Sequence, residues 1–164
     1  MTEQIYSENA RKIIKNKKII EETLKVKLSS KENIVFIKGD AENEYICLQA
    51  IEAIDLGFSI KESLLLKDEE IIFKQINIKS IAKRRDMSQI RARIIGTNGR
   101  VIDTLESLTD CFFAVHNNTV GIIGNIENMK TALYALENLI AGSKHASVYA
   151  YLEKKLAESK TTSF

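Results

Sequence analysis

The sequence predicts an α+β chain built from two copies of one small domain, on three observations. The two halves align without a gap when 85 is added to each residue number. Within each half the apolar spacing switches between helical and strand periods in one order. In the second half a glycine tetrapeptide, Gly96-Thr97-Asn98-Gly99, lies between an apolar segment and a helix.

The repeat comes first because a fixed period decides the architecture. Val35, Ile37, Gly39, Glu42, Asn43, Leu48, Ala50, Glu52 and Gly57 meet identical residues at Val120, Ile122, Gly124, Glu127, Asn128, Leu133, Ala135, Glu137 and Gly142. Glu21 and Asn33 meet Glu106 and Asn118 in the same register. The apolar positions follow it too.

In the second copy, Val101, Ile102, Leu105 and Leu108 fall at helical spacing directly after the tetrapeptide. Phe112 to His116 is aromatic and β-branched enough for a strand, Asn117-Asn118 supplies turn residues that tolerate positive φ, and Thr119 to Ile123 makes the returning strand. From about Glu127 to Ala141 one apolar stripe marks a helix that Gly142 is placed to close. Ser147 to about Glu158 reads as a last helix, and Ser159 to Phe164 as a disordered tail. The first copy gives a helix over Lys12 to Leu24, strands at Lys25 to Leu28 and Ile34 to Lys38, and a helix from Glu42 to Leu56, after which Ile60 to Leu66 begins the connection. The expected domains are residues 1–78 and 79–158, with 159–164 as the tail.

Composition is that of a globular protein, 45% hydrophobic and 28% charged, and no run approaches the roughly 18 apolar residues of a membrane helix. The start, MTEQIYSENARK, has no apolar secretory core, so a cytoplasmic location is expected, with no membrane association. Cys47 and Cys111 belong to no metal-binding spacing; they read as buried free thiols, and neither metal nor cofactor is expected. A nucleophile with its base, a metal-spaced carboxylate set and a nucleotide loop are all missing, and His116 and His145 read as a strand residue and a helix-start residue; no catalytic residue is assigned. The net charge of +2 conceals an asymmetry. Lys74, Lys79, Lys83, Arg84, Arg85, Arg91, Arg93 and Arg100 face a single acid, Asp86, within residues 74–100, whereas residues 38–72 hold nine acids and three lysines. Such a basic run points to a polyanion partner.

The tetrapeptide sharpens that partner. Its first glycine permits a tight turn, its second lets an RNA backbone approach without a Cβ in the way, and N–H groups at the following helix start favour phosphate. Strand-helix-GxxG-helix-strand-strand-helix is the frame of a KH domain, which clamps about four nucleotides of single-stranded RNA. The predicted RNA site is Gly96, Thr97, Asn98, Gly99 and Arg100, with Arg91 and Arg93 before the loop and Ile94, Ile95 and Ile102 lining an apolar groove; Phe113 or Val115 is placed opposite.

The segments RARIIGTNGRVIDTLESLTDCFFAVHNNTVGIIG and KHASVYAYLEKK resemble the second KH domain of the ribosome-biogenesis family called Partner of NOB, in its compact archaeal type; the KRR-type processome factors share the frame. The likeness is strong over Lys83 to Lys155. It implies two tandem type I-like KH domains with three-stranded sheets packed against helices, a single-stranded RNA ligand in the 3′ region of the small-subunit rRNA precursor, and the NOB endonuclease as partner. Thr97 stands where the family usually has lysine, and Lys144 where it commonly has proline. The same register places Arg11-Lys12-Ile13-Ile14 opposite the tetrapeptide, so the first domain is expected to lack the clamp. The alternative reading is a KH-fold interaction scaffold with a vestigial RNA site.

Overall fold

Strands rich in Val, Ile and Phe bury alternate side chains in the first half of the chain, whereas Val120 to Gly124 in the second are buried consecutively. The computed structural model describes residues 2–82 and 86–161, which divide into two units, Met1–Phe73 and Lys74–Phe164. Lys83, Arg84 and Arg85 of the basic run and the last three residues lie outside the described residues.

The first unit runs β1 (Thr2–Tyr6), α1 (Ala10–Lys15), α2 (Lys17–Leu24), β2 (Val26–Lys31), β3 (Ile34–Gly39), α3 (Ala41–Leu56) and α4 (Ile60–Ser63), followed by a 3₁₀ turn at Leu64–Lys67. Its antiparallel sheet has the order β1-β3-β2. Val26, Leu28, Val35 and Ile37 point inward and are buried with Ile13, Ile20, Cys47, Ile51 and Ile54 from the helices. The single helix expected over Lys12 to Leu24 is instead two. Asn16 interrupts it at φ −104°, ψ 17°, and its carboxamide donates to the Lys12 carbonyl at 2.8 Å, a local bond that competes with helix continuation. Gly57 closes α3 at φ 120°, and a reciprocal pair of 3.0 Å bonds between Ser59 and Glu62 opens α4 as a capping box.

The second sheet contains β4 (Ile71–Asn77), β5 (Phe112–His116) and β6 (Thr119–Asn125) in the order β4-β6-β5. With it go α5 (Ile78–Ile81), α6 (Met87–Ile95), α7 (Arg100–Thr109), α8 (Ile126–Ala141) and α9 (His145–Thr161). Asn125 caps α8 by accepting from the Glu127 N–H at 2.8 Å, and Gly142 ends it at φ 107° as its position predicted. Helix α9 begins at His145 and continues through Thr161, so Ser159 to Thr161 are helical where the sequence reading placed a tail. The three-stranded sheets that the resemblance implied need a third strand in each unit, and the sequence reading placed neither β1 nor β4.

The offset of 85 survives in detail. Adding it carries α3 onto α8 at both ends. The Glu21 carboxylate accepts from the Leu28 N–H at 2.7 Å, and the Glu106 carboxylate from the Phe113 N–H at 3.0 Å. The Asn33 carbonyl accepts from Ser7 at 2.8 Å and the Asn118 carbonyl from Ile78 at 2.7 Å. Gly39 and Gly124 mark equivalent close approaches, their missing side chains leaving room for Val26 and Cys111. Among the shared residues, Glu21 and Glu106 tie β2 to α2 and β5 to α7, and Gly39 and Gly124 admit a neighbouring strand.

Candidate nucleic-acid interface

Helix α6 stops at Ile95 because Gly96 takes φ 77°, ψ 172°, a backbone region that glycine alone adopts readily. The Gly96 N–H still completes a bond to the Ala92 carbonyl at 2.8 Å. Thr97–Gly99 then forms one 3₁₀ turn, closed by Gly99 N–H to the Gly96 carbonyl at 3.2 Å, with Asn98 at φ 56° and Gly99 at φ 75°. Asparagine is one of the few side chains at home in that region. Helix α7 starts at Arg100, whose N–H bonds to the Thr97 carbonyl; with no side-chain cap among the described residues, the N–H groups that follow in the first turn face the positive end of the helix without a side-chain acceptor.

The two glycines are needed for different reasons. A Cβ on Gly96 would lie 2.4 Å from Val101 Cγ2 and 2.8 Å from the Val101 backbone nitrogen, so the loop folds tightly onto α7 only without one. A Cβ on Gly99 would meet nothing within 4 Å, so here the glycine serves its φ and leaves the backbone bare to solvent. Thr97, Asn98 and Arg100 are exposed. Beside the loop, Gln89, Ala92, Arg93, Gly96, Thr97, Val101 and His145 line a cleft of about 530 Å³.

Several predicted site residues serve other ends. Ile94 has no exposed surface and belongs to the core, not to a groove. Phe113 is likewise buried, whereas Ile95, Ile102 and Val115 keep partial exposure. The Arg91 guanidinium donates to Asn118 Oδ1 at 2.6 Å, tying α6 to the β5–β6 turn. Arg93 donates to the Ser143 carbonyl in the connection before α9, and its Nε is buried without a partner. His145 Nε2 lies 2.9 Å from the Arg93 carbonyl and must donate to it, which fixes the start of α9 beside the cleft. Of the three arginines assigned to the site, Arg100 alone is exposed at the loop. Sequence reasoning assigned neither Gln89 nor Val101 to the site, and it read His145 as a helix-start residue. The apolar run Arg93-Ile94-Ile95 was the one signal that a helix precedes the loop.

Burial raises the Cys47 thiol to about 12 and the Cys111 thiol to about 11, against an ordinary 9.0. Both are free and enclosed. Among the described residues no group of three His, Cys, Asp or Glu side chains is placed to hold a metal ion, and no helix is long and apolar enough to cross a membrane.

A β-α-α-β-β-α frame, with the last strand central in its sheet and a GxxG turn joining the first two helices, defines a type I KH domain, the class to which the second unit conforms. A family model for the second KH domain of PNO1, described as a eukaryotic type KH-domain of type I, matches residues 72–157, just over half of the chain. The KH domain-containing protein MJ0443 of Methanocaldococcus jannaschii is 32% identical over 155 residues, covering 90% of this chain and 68% of that protein. The RNA-binding protein pno1 of Drosophila melanogaster is 31% identical over 105 residues, and there the match spans 62% of this chain and 44% of the relative. Among solved structures, Dim2p from Pyrococcus horikoshii superposes with a TM-score of 0.83 at 29% identity, covering 94% of this chain and 99% of that one. A chain of the a/eIF2alpha–aDim2p–rRNA complex from the same organism gives 0.85 at 29% identity, with 96% and 95% covered. The chain belongs to the PNO1/Dim2 family of KH-domain RNA-binding proteins of ribosome biogenesis.

Proposed function

We propose that this protein binds single-stranded RNA through the Gly96–Gly99 loop, in the 3′ region of the small-subunit rRNA precursor, as a non-catalytic cytoplasmic partner of the NOB endonuclease. The observation that carries the reading is the loop itself: three left-handed or glycine-only positions within four residues, Gly96, Asn98 and Gly99, bare at Gly99, delivering the uncapped start of α7. Phosphates dock on those N–H groups and on Arg100, while Thr97 and Asn98 offer polar side chains to the backbone of the RNA. Ile95 and Ile102, half-exposed on either side of the loop, give unpaired bases an apolar surface. Arg91 and Arg93 act at one remove, holding the β5–β6 turn and the start of α9 against α6.

Support for the rRNA ligand comes from the P. horikoshii neighbour, whose structure is a complex with rRNA and a/eIF2alpha. The first unit is read as a degenerate KH domain within residues 1–78. Its sheet order matches that of the second, and Arg11 to Ile14 lie inside α1 where the second unit has its tetrapeptide. Crosslinking in cells followed by RNA sequencing tests the assignment. Reads concentrated at the small-subunit rRNA 3′ end, and lost with the double substitution Thr97→Asp, Asn98→Asp, are expected; reads that persist in that variant overturn the loop as the site. Co-purification of the NOB endonuclease tests the partnership separately.

A further inference from the structure

Helix α6 divides its surface three ways. At about 100° per residue, Gln89, Arg93 and Gly96 share one stripe, Ile90 and Ile94 turn into the core, and Ile95 lies about 120° round from the stripe. The cleft of about 530 Å³ beside the loop is built on that stripe, so it is a different surface from the apolar groove of Ile95. Thr97 and Val101 beyond the turn and His145 at the start of α9 complete it. Two hydrogen bonds fix α9 against α6 there: Arg93 donates to the Ser143 carbonyl, and His145 Nε2 donates to the Arg93 carbonyl at 2.9 Å. Among the described residues that line the cleft none is acidic, and its one cation is already committed, since Arg93 is bonded to Ser143 and its Nε is buried. What remains for a ligand is neutral polar chemistry. Among the described residues the Gln89 carboxamide and the Thr97 hydroxyl have no hydrogen-bond partner, and both side chains are exposed. With Nε2 donating, the neutral His145 ring keeps Nδ1 as an acceptor. Ala92 and Val101 supply apolar walls.

We infer that this cleft reads one nucleobase, an adenine, on the nucleotide that the strand carries past the Gly96–Gly99 clamp. A base is apolar on its faces and polar at its edge, and it asks for convergent neutral donors and acceptors between apolar walls, which is what the cleft leaves unpaired. A phosphate would call for a free cation, and Arg93 is not one. Two groups select the base. The edge of adenine at N6 and N7 is the one a glutamine carboxamide pairs with two bonds, which gives Gln89 its role. The acceptor on His145 favours an amino group over the carbonyl that uracil presents in its place. The inference rests on the proposed RNA function. A single base held by two or three hydrogen bonds is captured only because the clamp next to it makes the event intramolecular.

The test uses the full chain and fluorescence anisotropy, with a labelled ten-nucleotide oligouridine and a set in which a single adenosine is moved along it. At interior positions the adenosine is expected to strengthen binding by about fivefold to a hundredfold, the discrimination of one two-bond base contact. Gln89→Leu removes the carboxamide and keeps the bulk of an exposed side chain, and Ala92→Phe fills the cleft from an exposed position. Each is expected to bring the adenosine oligonucleotides and oligouridine to equal affinity, with an unchanged circular-dichroism spectrum. An adenosine preference that persists in both variants overturns the inference, because the base is then read elsewhere. Oligouridine binding with no adenosine preference in the unaltered protein also overturns it and leaves the loop reading standing, whereas no binding of any oligonucleotide sinks both. A second readout does not depend on affinity: an azidoadenosine at a favoured position is expected to crosslink under ultraviolet light to the peptides bearing Gln89 or His145. Crosslinks confined to β5 put the base in the groove and refute the cleft.

Discussion

Replacing Gly96 and Gly99 one at a time separates the loop's packing from its contact with RNA. Gly96→Ala forces an L side chain into φ 77°, ψ 172°, which costs about 1–3 kcal/mol in backbone strain. It also drives a Cβ to 2.8 Å from the Val101 nitrogen, a backbone atom that no rotamer change can move, adding about 1–3 kcal/mol of overpacking. The sum, about 2–6 kcal/mol, lowers the melting temperature by roughly 10 °C or more in a domain of this size. Gly99→Asn meets no atom within 4 Å and asks for a left-handed residue beside Asn98, which already is one, so its cost stays below about 1–2 kcal/mol. Its side chain nevertheless stands where the phosphate backbone would approach. Differential scanning fluorimetry and anisotropy titration on the two variants are expected to show Gly96→Ala strongly destabilised, and Gly99→Asn near-native in melting but weaker for RNA by about tenfold or more, the loss of one charge-assisted contact. Gly99→Asn with unchanged affinity refutes the open-backbone argument, and Gly96→Ala with unchanged melting refutes the packing one.

Other expectations follow from the same geometry. If the loop site neutralises about four phosphates, log affinity falls against log salt with a slope near −3, a loss of roughly fiftyfold between 50 and 200 mM; a flat titration favours the scaffold reading. Arg93→Ala removes the bond to Ser143 that holds the start of α9, costing about 1.5–3 kcal/mol in a urea melt, whereas Arg100→Ala at the exposed loop is expected to leave stability alone and weaken RNA binding. The buried thiols, raised to about 12 and 11 from 9.0, hold their protons more tightly folded than unfolded. Their contribution to stability is therefore intact below pH 9 and lost as pH climbs toward those values, and native protein at pH 8 is expected to react with a thiol reagent far more slowly than protein in urea.

The sequence announced the repeat because its shared residues have backbone jobs that few side chains perform. Gly57 and Gly142 end helices at positive φ, and Gly39 and Gly124 admit a neighbouring strand. The hairpin at Asn117 and the helix end at Gly142 were legible for the same reason. Strands β1 and β4 were not, since each pairs with a strand distant in sequence and Thr2–Tyr6 alternates only weakly. Nor was the fate of Arg91 and Arg93. A basic residue beside a phosphate loop reads as a ligand, but its hydrogen bond to Asn118 or Ser143 depends on tertiary approach across 27 or 50 residues. Ile94 and Ile95 are adjacent isoleucines that composition treats alike; the helix rotation of about 100° between them buries one and leaves the other half-exposed.

Positive φ is where the two halves part. Lys25, Glu32 and Gly57 have left-handed counterparts 85 residues on at Asp110, Asn117 and Gly142, so these turns are common to both units whatever side chain occupies them. Three further positions have none: Gly96, Asn98 and Gly99 correspond to Arg11, Ile13 and Ile14, which are helical in α1. Ile13, the counterpart of Asn98, is fully buried there, so building the loop's sequence into the first unit means replacing a core side chain, at a cost of about 2–5 kcal/mol. The two units therefore share their other left-handed turns and differ at this one.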